Sequence, residues 1–352
     1  MNKLPQIEGI SNLQKVSFYQ LLSLQECVLK GVRSNLRLTA CLPEVIPTKA
    51  LIVGRFHHKA MELARTCLTL SELREALETE IVTLEKNVAQ HQSVLARGRV
   101  SGWNEINDSF VVALEVFRRR GGGNLTGKAV AVEKSLSSTD GLFSGKPDLY
   151  VTEGDRATII EYKTPRLRNE SGVIRAEYVD QLKFYAALLY ENYDLTTVRG
   201  CLESPIDAAW QVEISIAEAR SYLDAARQLV ASVNRSISSI ANIFALASPS
   251  VDSCATCDLR PVCNPFLNMQ SALGFPDKEI YIDGVLVELA IEVNKKAAKA
   301  KFALGEKASL AVLLPQSVYE ELRYGGRYLL TALHASGAGS EWSARSQIFQ
   351  YE

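Results

Sequence analysis

Two carboxylates and a lysine, Asp148, Glu161 and Lys163, lie within the stretch GKPDLYVTEGDRATIIEYK that runs from Gly145 to Lys163. Lys146–Thr152 and Arg156–Lys163 are rich in strand formers and flank Glu153-Gly154-Asp155, a turn composition. With Gly154-Asp155 as a two-residue loop, Glu153 faces Arg156, and the same register sets Asp148 opposite Glu161. Strand periodicity then puts Asp148, Glu161 and Lys163 on one face. Carboxylates held that close repel each other, and a hard divalent cation relieves the repulsion. Mg²⁺ or Mn²⁺ takes oxygen ligands and keeps waters that serve as nucleophiles. A lysine beside such a site orients or deprotonates the water, or stabilises a pentavalent phosphate. The plainer explanation is a surface hairpin with a cross-strand charge pair. Ile159, Ile160 and Tyr162 make the second strand too apolar for that.

Three other groups of residues could do chemistry. His57 and His58 follow Gly54 in ALIVGRFHHKAMELARTCLTL (50–70), a short apolar run that continues as a helix. Adjacent on a helix, the two imidazoles point about 100° apart, so one can pack while the other stays free. Gln181 and Tyr185 are at i and i+4 on the helix expected over Ala176–Tyr193, beside a core stripe of Leu182, Ala186 and Leu189. Cys254 and Cys257, then Cys263 after five residues, have the spacing of metal ligands. Tetrahedral zinc or a 4Fe-4S cluster takes four protein ligands, so a fourth must come from elsewhere. Cys41 and Cys67 lack spacing partners and read as core. Cys27 sits near the end of an amphipathic helix over 15–38.

These residues need a scaffold. The chain has 352 residues, 47% hydrophobic and 22% charged, enough for one large core or two smaller ones. Seven cysteines without a signal peptide or a membrane-length apolar run imply a cytosolic protein and a metal site rather than disulfides. The net charge of -1 leaves nucleic-acid affinity to local patches: Arg118–Arg120, Arg166/Arg168/Arg175 and Lys295/Lys296/Lys299/Lys301. Ser71–Gln90, N-capped by Ser71 without a capping box, and Glu105–Arg120 read as long helices. Val130–Ser135 reads as a strand into the central hairpin, and Val198–Glu203 and Ala209–Ile214 complete the sheet before a helix over Ala217–Ile240. After the Asn264–Asp277 linker the pattern becomes strand-rich and punctuated by glycine: Ile280–Leu289, Ser309–Leu314, Arg327–Leu333 and Ser343–Tyr351, with a short helix over Gln316–Tyr324. That predicts a small β-barrel, OB-like or SH3-like, with Tyr281, Tyr324, Tyr328, Trp342 and Phe349 as its core or as a surface for single strands or a partner.

The order Pro147-Asp148, twelve residues, then Glu161-Tyr162-Lys163 resembles the motif of the PD-(D/E)XK nucleases. His58, four residues after Gly54, and Gln181 with Tyr185 stand where RecB-like members carry a metal-binding histidine and a glutamine–tyrosine pair beside the active site. Glu133 matches an acid that many of them place ahead of the catalytic aspartate. The layout of one early cysteine and a late C-x2-C-x5-C trio is similar to the iron–sulfur RecB-like nucleases, among them the AddB helicase–nuclease subunit and CRISPR-associated RecB-like exonucleases. The likeness covers about residues 15–265. It implies an α/β, restriction-endonuclease-like core over 1–265, with a helical cap (about 71–127) and an Fe-S loop, and leaves a separate β-rich domain at 278–352. It also implies a site in which His58, Asp148, Glu161 and the Tyr162 carbonyl hold Mg²⁺ or Mn²⁺ while Lys163 positions water, with Gln181, Tyr185 and Glu133 alongside. Cys27, Cys254, Cys257 and Cys263 would hold a 4Fe-4S cluster, with zinc on the same thiolates as the alternative. The expected activity is hydrolysis of DNA, single-stranded or as a duplex with ends, in DNA processing, recombination or anti-phage or CRISPR defence. A catalytically silent DNA-binding or scaffold subunit is the other reading. No GxxxxGK[ST] motif is present, so any helicase or defence-complex partner is a separate chain.

Overall fold

The computed structural model describes residues 2–3, 5–39, 49–90, 102–119, 129–164, 166–204, 206–255, 257–270, 279–291, 297–304, 308–336, 339–341 and 347–350. The fold is mixed α/β. The chain divides into two compact units, one of Leu13–Leu22 with Pro47–Ser232 and one of Met1–Asn12, Ser23–Ile46 and Val233–Glu352.

The first unit is built on a five-stranded sheet in the order Trp210–Ile214, Thr197–Glu203, Arg156–Tyr162, Leu149–Glu153, Ala129–Val132. Arg156–Tyr162 is central, and Ala157, Ile159 and Glu161 alternate as buried positions along it. Its hairpin partner runs antiparallel with Glu153 opposite Arg156 and Leu149 opposite Ile160, so the next position along sets Asp148 against Glu161. Gly154 closes the turn at φ 60°, a conformation that favours glycine. On its other side the central strand pairs in parallel with Thr197–Glu203, and parallel neighbours need a crossover. The helix Ala176–Asn192 provides it.

That helix lies very close to the sheet. A Cβ on Gly200 would come within 2.7 Å of Leu182, and one on Gly145 within 2.5 Å of the Tyr185 ring. Two glycines thus set the depth at which Gln181 and Tyr185 enter the site.

Three helices, Lys49–Thr66, Leu70–Gln90 and Gly102–Arg119, share an apolar cluster that includes Phe56, Ala60, Leu73, Leu77, Ile81 and Ile106. The run Ala50–Val53 is therefore helical rather than a separate strand-like stretch. The second helix starts one residue before Ser71, and Thr69 caps it. The Glu72 N–H donates to Thr69 Oγ1 (3.1 Å) while the Thr69 N–H donates to Glu72 Oε2 (3.2 Å), a full capping box. The strand expected over Val130–Ser135 is Ala129–Val132, and it stops where Glu133 turns to φ 46°.

The helix expected over 15–38 begins in the first unit and is interrupted within the part that belongs to the second. Phe18–Glu26 ends before Cys27, whose backbone is extended (φ -159°, ψ 116°), and a short helix, Val28–Gly31, follows. The cysteine segment is likewise more regular than a loop, with helices Val251–Ala255 and Asn264–Gln270; the second occupies the start of the expected linker, whose remainder, from 271, falls outside the described residues. Beyond it, Glu279–Ile291, Ala297–Leu304, Ala308–Pro315, Arg327–Ser336 and Gly339–Glu341 pair in a ring. The fifth strand runs parallel to the third and antiparallel to the fourth, and the fourth also pairs with the first. Gln347–Gln350 extends this sheet, and Asn2–Lys3 pairs in parallel with it. Ala298, Ala300 and Phe302 alternate inward with Lys299 and Lys301 outward, so part of the basic patch is a strand. Tyr328 is core, and its hydroxyl accepts from the Arg323 N–H (2.8 Å). Trp342 and Cys41 lie outside the described residues, as do Lys295, Lys296 and Arg120. Among the described residues no helix is long and apolar enough to cross a membrane.

Candidate active site

One hydrogen-bonded network joins the residues singled out in the first unit. Asp148 immediately precedes the strand Leu149–Glu153 and receives the Tyr162 N–H on Oδ2 (2.8 Å), while its Oδ1 meets His58 Nδ1 (2.9 Å). The Asp148 N–H in turn donates to Glu161 Oε1 (3.1 Å). Lys163 Nζ donates to Glu161 Oε2 (3.0 Å) and to Gln181 Oε1 (2.7 Å). Gln181 Nε2 donates to the Tyr185 hydroxyl (3.2 Å), which donates to the Lys146 carbonyl (3.4 Å). Glu133 stays at the edge: it pairs with Lys146, and its N–H donates to the Asp148 carbonyl (3.1 Å).

Burial gives this network its electrostatics. Glu161 is 2% exposed and Lys163 is 5% exposed. Loss of water pushes the Glu161 pKa up; the Lys163 charge opposes that and the Asp148 charge adds to it. For Lys163 burial works downward, yet the charges of Glu161 and Asp148 outweigh it and hold the ammonium. His58 shows the same contest. Burial would lower its pKa, but the hydrogen bond and charge of Asp148 raise it above the ordinary value. His57 faces the other way, with Nδ1 3.1 Å from Ser109 Oγ, and burial, helped by His58, lowers its pKa to about 4. It is a neutral core residue between helices.

Several residues here escaped the sequence reading. Arg65 hydrogen-bonds the Tyr162 phenol and reaches Glu203 (3.4 Å). It stands seven residues after His58, two helical turns on and on the same face, which is the signal that could have found it. The Lys163 N–H donates to the Glu203 carbonyl (2.8 Å), extending the parallel ladder past the strand end. Tyr19, Arg55, Lys59, Thr164 and Tyr178 line, with His58 and Lys163, a cleft of about 650 Å³. Of the arginines after Lys163, Arg168 donates to the Gly172 carbonyl (2.8 Å) and Arg175 pairs with Glu177 (3.6 Å).

In the second unit Cys27, Cys254, Cys257 and Cys263 line one cavity, walled by apolar groups such as Leu29, Pro249, Leu259 and Phe266. The Ser248 N–H donates to Cys27 Sγ (3.3 Å). Burial raises the thiol pKa of Cys257 to about 12 and of Cys263 to about 11. Arg260 Nε donates to the Cys257 carbonyl (3.0 Å), and Arg33 pairs with Asp258, both bracing the trio's loop. Cys67 belongs with the helical cluster of the other unit. Among the described residues no three His, Cys, Asp or Glu side chains are gathered tightly enough to enclose an ion as they stand. In the active site the carboxylates instead spend oxygens on N–H groups and on Lys163.

A search of curated proteins finds no match. Among solved structures, a Eubacterium rectale protein described provisionally as an exonuclease shares 12% identity over 64% of this chain and 82% of its own, with a TM-score of 0.39. An alkaline exonuclease from Laribacter hongkongensis shares 13% identity over 52% of this chain and 92% of its own, with a TM-score of 0.21. Both overlaps are loose. The profile of the PD-(D/E)XK nuclease superfamily matches residues 15–264, a span that holds the acid pair, the lysine and every partner in their network, and the chain belongs to that superfamily.

Proposed function

We propose that the protein is a Mg²⁺- or Mn²⁺-dependent deoxyribonuclease that hydrolyses phosphodiester bonds. The buried Asp148–Glu161–Lys163–Gln181 network carries this reading. A surface ornament would not keep a lysine and a glutamate at 5% and 2% exposure. Nucleases of this superfamily generally work with divalent ions, and the donor set fits one: two carboxylates and an imidazole, hard ligands with the charge a divalent ion needs. His58, Asp148, Glu161 and the Tyr162 carbonyl would hold it. When bound, such an ion neutralises charge on the phosphate and acidifies water.

The chain's own residues do the rest. Lys163 points its ammonium into the cleft from two fixed acceptors, so it can orient water and meet charge developing on the phosphate without moving. Gln181 holds that ammonium, and Tyr185 holds Gln181. Arg65 secures the Tyr162 side chain, the Asp148 side chain takes the Tyr162 N–H, and the Lys163 N–H donates to the Glu203 carbonyl, which fixes the peptide that carries the Tyr162 carbonyl. Intact Asp148, Glu161 and Lys163 weigh against the silent scaffold reading. Glu161→Ala and Lys163→Ala are expected to abolish Mg²⁺- or Mn²⁺-dependent cleavage of DNA while the far-ultraviolet circular dichroism stays native. Wild-type cleavage by either purified variant would overturn the assignment.

The four-cysteine cavity supports a 4Fe-4S cluster held by Cys27, Cys254, Cys257 and Cys263. Four thiols around one apolar cavity fit it, and a bound cluster would take them as thiolates, against the burial that raises the thiol pKa of Cys257 and Cys263. Zinc on the same thiolates is the competing occupant. The ring of strand pairings after residue 278, with Gln316–Tyr319 between its third and fourth strands, supports an OB-like rather than SH3-like barrel, in a β-rich domain of 278–352 following a nuclease domain of 1–265. This barrel would dock DNA or a partner such as a separate helicase or defence-complex subunit. A cytosolic role in DNA processing, recombination or CRISPR and anti-phage defence suits these parts.

A further inference from the structure

The cleft that Lys163 lines carries two further kinds of side chain. The helix Lys49–Thr66 contributes Arg55 and Lys59 beside His58. Two other helices contribute a tyrosine each, Tyr19 near the start of Phe18–Glu26 and Tyr178 in the first turn of Ala176–Asn192. Tyr19 is 61% exposed, an unusual setting for a large aromatic ring, and it meets the Phe18 ring edge-to-face (centroids 5.7 Å apart). Lys163 Nζ lies 5.5 Å from the centre of the Tyr178 ring. The acids on this cleft are already answered, Glu62 by Lys59 and Glu133 by Lys146.

We propose that Tyr19 and Tyr178 form a stacking subsite for a nucleobase of single-stranded DNA, next to the phosphate that is cut. This rests on the nuclease reading of the same cleft. A phosphate held at Asp148, Glu161 and Lys163 puts its own nucleoside, or the adjacent one, within reach of a ring that close to Lys163. Basic groups for the backbone combined with aromatic rings for the bases are the means by which proteins grip single strands without reading sequence. In a duplex the bases stack on each other and offer no free face, so the subsite selects single strands or frayed ends.

The test is the affinity of the full-length protein for a short oligothymidine and for an abasic strand of the same length, by fluorescence anisotropy, with Ca²⁺ replacing Mg²⁺ to hold off hydrolysis. The wild-type protein is expected to prefer the strand that carries bases. Tyr19→Ala and Tyr178→Ala should each weaken oligothymidine binding by about 5- to 150-fold, the range that one base–aromatic stack contributes. They should leave abasic binding unchanged, and Tyr19→Phe and Tyr178→Phe should restore affinity. Tyr19→Ala should raise KM for single strands with little change in kcat, which a merely structural role would not do. Equal affinity of the wild-type protein for the two strands, or equal losses on both in the alanine variants, would overturn the subsite. Base-dependent binding that both tyrosines control, in a protein that cuts no DNA with Mg²⁺ or Mn²⁺, would instead uphold the subsite and overturn the nuclease reading.

Discussion

Gln181→Leu isolates the part of the site that holds the lysine. Lys163 Nζ has two side-chain acceptors, Glu161 Oε2 at 3.0 Å and Gln181 Oε1 at 2.7 Å, and the leucine removes the shorter bond. Gln181 is 2% exposed, so no water replaces it readily, and leucine is close enough in size to avoid a large void. A hydrogen bond to a charged group contributes about 1.5–3 kcal/mol. If that energy holds the ammonium in place in the transition state, its loss slows cleavage by about 10- to 150-fold. The effect should fall on kcat, because the substrate's own contacts remain. Tyr185→Phe removes only the acceptor for Gln181 Nε2 and a long bond to the Lys146 carbonyl, so its loss should be smaller, about fivefold. Single-turnover cleavage of an end-labelled single strand at saturating Mg²⁺ reads both. A Gln181→Leu rate equal to wild type would refute the positioning role, as would a larger defect in Tyr185→Phe.

Acid should expose His57. Unfolded, it takes up a proton near 6.5, but folded it resists until about 4, because burial disfavours the charged ring and His58 repels it. Stability is therefore present above pH 6.5 and is lost as pH falls through that window, by about 3 kcal/mol at about 1.4 kcal/mol per pH unit. His57→Phe should remove that share of the slope in urea unfolding curves, and parallel wild-type and variant slopes would contradict the argument. Protein purified without air should carry iron and sulfide in amounts that match the chain, and Cys27→Ser should lose both while Cys67→Ser keeps them. Zinc instead of iron in such a preparation, or iron retained by Cys27→Ser, would reassign the cavity.

The hairpin was legible because its turn permits few registers. Gly154-Asp155 fixes Glu153 opposite Arg156, and every later pairing follows by counting. The helix angle separates His57 from His58 without choosing between them, and the choice of His58 came from its spacing after Gly54, which only the RecB-like resemblance makes meaningful. Other features depended on contacts that the local sequence does not announce. Thr69 and Ser71 are both plausible caps, and the reciprocal bonds between Thr69 and Glu72 decide for the first. Cys27 interrupts an otherwise good helical pattern, in a chain whose thiols gather from distant segments. Ala297–Leu304 is rich in alanine and lysine, helix formers by propensity, and is a strand because pairing with both neighbours outweighs that preference. Tyr19 was invisible as a site residue for a similar reason: Lys163 and Tyr178, which line the same cleft, lie far away in the chain.

The interleaving of the second unit has a consequence for how the protein is made. Asn2 pairs with Phe349, so this strand finds its partner only after the whole of Pro47–Ser232 has been made. Cys27 waits for Ser248, 221 residues later, which at ribosomal speeds is about 10–45 s. Throughout that interval Pro47–Ser232 emerges as a continuous stretch that contains the entire acid–lysine network, while the early thiol stays open to solvent and oxidants. Anything that requires all four cysteines can be acquired only after Cys263 has left the ribosome. A nascent chain stalled before that point would carry the whole acid–lysine network while Cys27 still lacked its late partners.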